Sequence, residues 1–214
     1  TTGESATLSY EEHDRVIEVV IEAAKKKIPV IAGTGSNSTA EAVMLTKHAK
    51  RSGADATLQV SPYYNKPTQE GLYQHFKTIA EESGLPMIVY NIASRTGVNI
   101  EPETMARISK VKNIVGVKES SGSLEQMATI RYLCGDKFDL ISGDDALTLP
   151  LLAIGGTGVI SVVNNIVPKD VAEMVLKFKK GDMEGARKLH YKLLPLIKAV
   201  FLETNPIPVK TAMS

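Results

Sequence analysis

The sequence predicts an α/β fold built from parallel strands, and three observations support this prediction. Short β-branched runs alternate with amphipathic stretches, and the runs begin near residues 28, 56, 86, 114, 138 and 158. Their spacing of about 20 to 30 residues is that of one strand–helix unit. Polar clusters follow the strands, as they do where the carboxyl ends of parallel strands bind ligands. Two architectures fit, a doubly wound sheet and a (β/α)8 barrel.

Capping motifs of the S-x-x-E type mark the first helices of the chain, because serine and glutamate can satisfy free amides at a helix start. Such motifs begin at Ser9 and Ser38, and glycines end the second and third helices. The predicted elements of this half are a helix from Ser9 to about Lys27, a strand at 28–33, a helix from Ser38 to Gly53, a strand at 56–60, a helix from Thr68 to Gly84 and a strand at 86–92.

The second half continues the alternation and then becomes helical. The predicted elements are a helix opened by Pro102, a strand at 113–118, a helix from Ser123 to Gly135, a strand at 138–142, a short helix at 145–154, a strand at 158–163, a helix at 168–180, one or two helices from 182 to 203 interrupted at Pro195, and an extended segment at 205–210. With six strands instead of eight, a barrel interpretation implies that the first one or two strands precede Thr1.

Bulk composition excludes several classes of function. The chain has 214 residues, 43% hydrophobic and 23% charged, without a low-complexity linker. A net charge of +1 gives no electrostatic basis for binding nucleic acid or an anionic membrane. No apolar run reaches membrane-spanning length, and no signal peptide is visible. Cys134 is the single cysteine, which favours a reducing cytoplasm.

The strand that ends in Lys118 suggests the chemistry. It reads NIVGVKE, a buried apolar run that places a lysine at the carboxyl end of a parallel strand. A lysine held against apolar walls loses hydration, which disfavours its charged form and makes it a candidate amine nucleophile for a carbonyl substrate. The alternative is a strand-end lysine paired with a carboxylate.

The preceding strand supplies two further candidates. Tyr90 ends the apolar run MIVY, and its hydroxyl is a plausible proton carrier near a lysine nucleophile. The alternative is a tyrosine that packs its ring and hydrates its hydroxyl. Arg95 follows in a loop, where its planar guanidinium suits a carboxylate, unless it is an ordinary surface arginine.

Other motifs carry less weight. The segment beginning Gly33-Thr34-Gly35 lacks the third glycine of a dinucleotide-binding fingerprint, because Ser38 stands there. The four histidines are scattered, and with one cysteine a metal site has little support. Asp144 and Asp145 are Mg²⁺-ligand types, but capping of the following helix is the expected role. We expect neither a metal nor a cofactor.

Several motifs together resemble the dihydrodipicolinate synthase family, a branch of the pyruvate-dependent Schiff-base aldolases. The matching segments, which occur in order along the whole chain, are TTGE at 1–4, YYNKP at 63–67, YN at 90–91, SRTG at 94–97, GVKE at 116–119, SGDD at 142–145 and GVISV at 158–162. The resemblance implies a (β/α)8 TIM barrel with extra C-terminal helices. Accordingly, we expect a barrel over 1–166 that is incomplete at its N-terminus, and a helical part over 167–214 that is incomplete at its C-terminus.

The resemblance also implies a reaction and its residues. Members are lyases of lysine and diaminopimelate biosynthesis that condense pyruvate with L-aspartate 4-semialdehyde to 4-hydroxy-tetrahydrodipicolinate. The resemblance assigns the imine to Lys118, a proton relay to Tyr90, Thr2 and Tyr64, and the semialdehyde carboxylate to Arg95. It assigns the pyruvate carboxylate to Thr1 with neighbouring amides, including that of Thr2, and main-chain groups near the imine to Gly143 and Ile160. It further implies a tight homodimer, with Tyr64 extending into the neighbour's site, and a homotetramer.

The resemblance also implies a regulatory site, and the chain differs from the family at one position. Positions of the family's allosteric lysine site correspond to Tyr10, His13, Asn37, Glu41 and Tyr63, which could equally serve interface packing and helix capping. Ala93 stands where the family usually has proline. Two alternatives stay open: another pyruvate-dependent aldolase, such as a sugar-acid lyase, against which Arg95 argues, and a fragment without catalysis.

Overall fold

A single parallel sheet organises the molecule, which we describe for all residues 1–214 from a computed structural model. The six strands pair in sequential order, each with the next, so the first and last are the edges of a curled sheet. They are β1 (Ile31–Gly33), β2 (Ala56–Val60), β3 (Met87–Asn91), β4 (Ile114–Glu119), β5 (Asp139–Ser142) and β6 (Gly158–Val159). All five pairings are parallel, as the strand–helix alternation predicts.

Helices connect the strands and continue beyond the last of them. They are α1 (Tyr10–Ala24), α2 (Thr39–Ser52), α3 (Gln69–Ser83), α4 (Ala93–Thr96), α5 (Pro102–Ile108), α6 (Leu124–Cys134), α7 (Thr148–Ala153), α8 (Pro168–Lys179), α9 (Met183–Ala199) and α10 (Ile207–Met213). The capping box predicted at Ser9 forms in full, and Ser38, Thr68 and Ser123 each accept a backbone amide at their helix starts. None of these helices combines the length and the apolar character that crossing a membrane requires.

The main core lies between the sheet and the helices that cover its outer face. Phe76 and Ile79 of α3 are fully buried in one cluster with Met87 and Val89 of β3 and with Val117 of β4. Burying a side chain of this size stabilises the fold by roughly 1.5–3 kcal/mol each. The two central strands are therefore the most firmly packed, and their carboxyl ends are fixed in position.

A second cluster joins the last helices to the end of the sheet. Met174 of α8 packs with Leu193 and Ile197 of α9, and Val163, after β6, belongs to the same cluster. Val209 of α10 is buried there as well. This packing places the C-terminal helices beside the carboxyl ends of the strands.

Several element predictions differ from the structure. The first helix ends at Ala24, because Lys25 and Lys26 have φ of 49° and 58°, and the following strand is confined to Ile31–Gly33. The strand predicted at 158–163 contains only Gly158–Val159, since a 3-10 turn follows at Val163–Asn165.

The last two differences concern prolines. α9 continues through Pro195 instead of breaking there. The segment 205–210, predicted to be extended, contains the start of α10, with Pro208 in its first turn. A proline in the first turn loses no intrahelical hydrogen bond, because the first amides of a helix have no partner within it.

Candidate active site

A cavity of about 410 Å³ opens at the carboxyl ends of β3 and β4. Its polar lining comes from the chain start, both strands, the loops that follow them, and the C-terminal segment. These residues include Thr1, Thr2, Tyr90, Ser94, Arg95, Lys118, Ser120, Gly143, Asp144 and Asn205. The structure therefore brings Thr1, Thr2, Tyr90, Arg95, Lys118 and Gly143 of the sequence-predicted set into one cavity.

Lys118 and Tyr90 form the centre of this cavity. They are register partners on β4 and β3, and the Lys118 Nζ lies 3.9 Å from the centroid of the Tyr90 ring. Both side chains are buried, with 8% and 3% of their surfaces exposed. The parallel register thus places an amine directly beside an aromatic hydroxyl residue, away from bulk water.

Burial determines the ionisation of both groups. It lowers the pKa of Lys118 to about 8, although the carboxylate of Asp145 acts in the opposite direction. It raises the pKa of Tyr90, which the nearby Thr1 and Ser120 oppose. Ser120 Oγ is buried and makes no well-aligned hydrogen bond. The lysine therefore has a substantial neutral fraction at mildly alkaline pH, while the tyrosine keeps its proton.

Gly143 provides the space that the lysine side chain occupies. A Cβ at this position would lie 2.8 Å from Lys118 Cε and would overlap Ser120 Oγ. The Gly143 amide donates a hydrogen bond of 2.9 Å to the carbonyl of Glu119, so the glycine is held beside β4. Only a residue without a side chain fits there while Lys118 keeps this conformation.

Asn205 connects the C-terminal segment to two predicted residues. Its Nδ2 donates to Thr2 Oγ1 at 2.8 Å, and its carbonyl accepts from Arg95 Nη2 at 3.1 Å. Because an amide nitrogen only donates, Thr2 Oγ1 is the acceptor in this pair and its own hydrogen is free for another partner. Arg95 lies on the short helix α4 and is exposed at the rim of the cavity.

Asp145 holds the loop after β6 against this site. Its side chain is buried, and Oδ2 accepts from the amides of Val162 at 2.9 Å and Val163 at 3.4 Å. The predicted capping of the following helix is not its role, because α7 begins only at Thr148. Asp144 caps its own turn, with Oδ1 accepting from the amide of Ala146. No group of three or more His, Cys, Asp or Glu side chains is arranged to hold a metal ion.

Two predicted residues do not line this cavity. Tyr64 lies in the loop after β2 with 92% of its surface exposed and φ of 70°. Ile160 follows β6, where its amide donates to the carbonyl of Ser142 at 2.9 Å. Ala93 begins α4, and its amide makes no backbone hydrogen bond, so this position is compatible with the proline usual in the family.

A second, smaller cavity of about 80 Å³ brings together most residues of the predicted regulatory site. Tyr10, His13, Glu41 and Tyr63 line it. Asn37 is adjacent, since its Nδ2 donates to the carbonyl of Tyr63 at 3.3 Å. His13 is buried, with Nε2 beside the carbonyl of Gly33 at 2.9 Å and Nδ1 without a partner.

A comparison with known protein families shows to which family the chain belongs. The model of the dihydrodipicolinate synthetase family matches residues 1–214, the whole chain. The chain belongs to this family. The family predicted from the sequence motifs is therefore confirmed.

Members of the dihydrodipicolinate synthetase family are similar to this chain over its full length. The 4-hydroxy-tetrahydrodipicolinate synthase of Syntrophus aciditrophicus is 62% identical over 214 residues, which are all of this chain and 74% of that protein. The chain thus spans about three quarters of the length of this relative. The enzyme class predicted from the sequence is confirmed, and the family reaction proceeds through a lysine Schiff base without a cofactor.

Solved structures of the family confirm the predicted fold class. The chloride-inhibited dihydrodipicolinate synthase of Acinetobacter baumannii, in complex with pyruvate, is 48% identical with a TM-score of 0.97, over 99% of this chain and 73% of that one. The enzyme of Cyanidioschyzon merolae with lysine bound is 48% identical with a TM-score of 0.95, over 99% of this chain and 72% of that one.

Sequence reasoning missed three contributors to this candidate site. Asn205 stood in a segment predicted to be extended and received no role, although an asparagine before proline was visible there. Ser120 belonged to a polar cluster after a strand, but serine is common in turns. Asp145 was assigned to helix capping, and no signal in the sequence pointed to the amides of Val162 and Val163.

Proposed function

We propose that this chain condenses pyruvate with L-aspartate 4-semialdehyde through an imine on Lys118. The observation that carries the proposal is the buried pair on β3 and β4, in which the Lys118 Nζ lies 3.9 Å from the ring centroid of Tyr90 at the wall of a 410 Å³ cavity. A buried amine with a pKa of about 8 is a competent carbonyl nucleophile near neutral pH.

The reaction follows from the chemistry of the amine. Neutral Lys118 attacks the ketone carbon of pyruvate, and loss of water gives the imine. Loss of a methyl proton then forms an enamine, whose carbon attacks the aldehyde of the second substrate. Tyr90, with Thr2, transfers protons in these steps, because its hydroxyl keeps its proton and can exchange it with a neighbour.

The remaining side chains bind the two carboxylates. Thr1 and the amides beside it bind that of pyruvate, while Gly143 and Ile160 present main-chain groups near the imine. Arg95 binds the carboxylate of the semialdehyde from the cavity rim, where its guanidinium can form two parallel hydrogen bonds. This arginine favours the semialdehyde over the substrates of a sugar-acid lyase, and turnover assays with competing aldehydes distinguish the two.

Trapping with pyruvate and borohydride tests the proposal and its dependence on pH. Only the neutral amine attacks a carbonyl, and its fraction increases as pH rises through the pKa of Lys118, which is about 8. At saturating pyruvate, the initial rate of adduct formation is therefore expected to increase as pH rises through about 8 and then to level off. Intact-mass spectrometry after rapid quenching measures this rate.

A different dependence of the adduct rate on pH would contradict the proposal. An adduct rate that keeps increasing well above pH 9 is the behaviour of an exposed lysine, whose ordinary pKa is about 10.4. That outcome, or a folded protein without any adduct, contradicts the proposal.

We also propose domain boundaries, an assembly and a cellular location for this chain. We assign 1–166 to the barrel and 167–214 to a helical part that borders the cavity through Asn205. We propose a homodimer that pairs into a tetramer, in which Tyr64 completes the relay of the neighbouring subunit; its 92% exposure in the single chain supports this arrangement. A cytoplasmic location is supported by the one unpaired cysteine, Cys134.

The second cavity supports a regulatory function, namely binding of L-lysine. Glu41 supplies a carboxylate for an ammonium group, and the unpartnered Nδ1 of His13 supplies a further polar contact. The cavity is small in one chain, and a second copy of the chain would form its other wall. The homologue from Cyanidioschyzon merolae, which carries lysine, is similar over the whole of this region.

Calorimetric titration with L-lysine tests this regulatory role. Glu41→Gln is expected to weaken binding about 10-fold or more, since a hydrogen bond to a charged group contributes about 1.5–3 kcal/mol. Glu81→Gln, at an exposed position of α3, is the matched control and should leave binding unchanged. Equal affinity of both variants and of the unaltered chain would refute the assignment.

A further inference from the structure

A buried side-chain bridge lies directly behind the reactive pair. Asn91 follows Tyr90 on β3, Glu119 follows Lys118 on β4, and the two are register partners with no exposed surface. Asn91 Nδ2 lies 3.0 Å from Glu119 Oε2 and 3.2 Å from Oε1. Because successive side chains of a strand alternate between its faces, this bridge occupies the face opposite to the reactive pair.

The direction of every hydrogen bond in the bridge is fixed. The amide of Ile100 donates to Asn91 Oδ1 at 3.0 Å, which leaves only the Asn91 NH₂ group to face Glu119. The amide of Ser121 donates to Glu119 Oε1 at 2.7 Å. Glu119 is therefore purely an acceptor here. Burial raises its pKa, and the donors from Asn91 and Ser121 act against that shift.

The bridge lies at the opposite end of the β3–β4 pair from an irregularity in the strand register. The pairing of β3 with β4 is irregular between Met87 and Ile88, so their register is offset at one end of the pair. Beyond that point the ladder must still place Tyr90 opposite Lys118. The Asn91–Glu119 bridge is a side-chain link between the two strands at their carboxyl ends, next to Tyr90 and Lys118.

The same two residues hold the cavity wall through their carbonyls. The carbonyl of Asn91 accepts from the amide of Ser120, and that of Glu119 accepts from the amide of Gly143, both at 2.9 Å. Ser120 and Gly143 line the cavity. A shift of Glu119 would therefore displace the lysine, the tyrosine and two residues of the wall together.

We propose that Glu119 is a positioning residue for imine formation, which acts by bridging to Asn91 and thereby holds Lys118 against Tyr90. This inference rests on the proposed function, because it assumes that Lys118 is the nucleophile. Glu119 itself does not line the cavity. It is expected to affect the rate of the chemical step and not the binding of pyruvate.

The test begins with Glu119→Gln, which preserves shape and removes one acceptor. In either orientation of the new amide, an NH₂ group faces a donor of Asn91 or Ser121, so the strands must separate. A displacement of about 1 Å at a reacting group costs on the order of 10²-fold in rate. The maximal rate of adduct formation with pyruvate should fall by roughly that factor, with the half-saturating pyruvate concentration unchanged.

A reciprocal exchange then identifies the bridge as the cause. In the double variant Asn91→Asp with Glu119→Gln, the aspartate accepts from the Ile100 amide and from the glutamine, while the glutamine accepts from Ser121. Asn99 accepts from Asn91 and also hydrogen-bonds to Gln126, and both amides can reverse to suit the exchange. The double variant keeps the net charge and should recover most of the lost rate.

Thr46→Val is the matched control for loss of a buried polar contact. Thr46 hydrogen-bonds to Thr34 and Gln59 in a fully buried cluster that does not line the cavity. The Thr46→Val substitution should lower the melting temperature without lowering the adduct rate of the folded protein. Three results would each overturn the inference. The first is an unchanged adduct rate in Glu119→Gln, and the second is an equal loss of adduct rate in Thr46→Val. The third is a folded double variant that does not recover the adduct rate. An unaltered chain that forms no adduct instead overturns the proposed function itself.

Discussion

Lys118→Ala is expected to abolish the pyruvate adduct and to lower turnover by at least about 10⁴-fold. The Lys118 Nζ is the side-chain amine that lies against the Tyr90 ring, and removal of the nucleophile that forms a covalent intermediate removes the reaction path itself. Intact mass after borohydride reduction measures the adduct, and a coupled assay with both substrates measures turnover. The fold should persist, because alanine removes a charge whose burial is unfavourable.

Lys112→Ala is the matched control for this substitution. Lys112 is exposed just before β4 and does not line the cavity. It should give the same single adduct as the unaltered chain. An adduct that persists in Lys118→Ala would assign the chemistry to another amine, and Lys198, which also lines the cavity, would be the first to examine.

Tyr90→Phe is expected to reduce kcat by about 10²–10⁴-fold, the usual contribution of a positioned proton carrier. Phenylalanine keeps the ring beside the Lys118 Nζ and removes only the hydroxyl, so the packing and the low polarity of the site remain. The adduct should still accumulate during long incubation, but more slowly. Steady-state assays and a time course of borohydride trapping separate the two effects.

An exposed tyrosine provides the control for Tyr90. Tyr132 lies on α6 with 84% of its surface exposed, and Tyr132→Phe should leave kcat unchanged. If Tyr90→Phe retained full turnover, the role of Tyr90 would be to pack against the lysine and not to transfer protons.

The proximity of Tyr90 and Lys118 could be predicted from sequence, because both residues end apolar strands that are neighbours in the chain. Parallel pairing of consecutive strands places such ends side by side, and the structure makes Tyr90 and Lys118 register partners. The order of the six strands was predictable for the same reason. Local patterns with one dominant cause, such as the capping box at Ser9, were reliable as well.

Contacts between distant segments could not be predicted in this way. Arg95 and Asn205 are 110 positions apart, and nothing in either local sequence indicates that they meet. Prolines were also ambiguous, because proline breaks a helix in some positions and starts one in others. The helix through Pro195 and the helix that begins at Ile207 depend on packing of the last cluster, around Ile197 and Val209.

The face of the Tyr90 ring has a consequence for the charge carried by the lysine nitrogen. An aromatic face attracts a cation of any kind within about 6 Å of its centre, and Nζ lies at 3.9 Å. The ammonium of the resting lysine and the protonated imine both carry a positive charge at this atom. In the proposed mechanism, the ring therefore stabilises the nitrogen before and after the bond to pyruvate forms, so covalent capture of the substrate keeps that attraction. The electron-withdrawing iminium, which makes the methyl protons acidic, is favoured by the same contact that holds the free lysine in place.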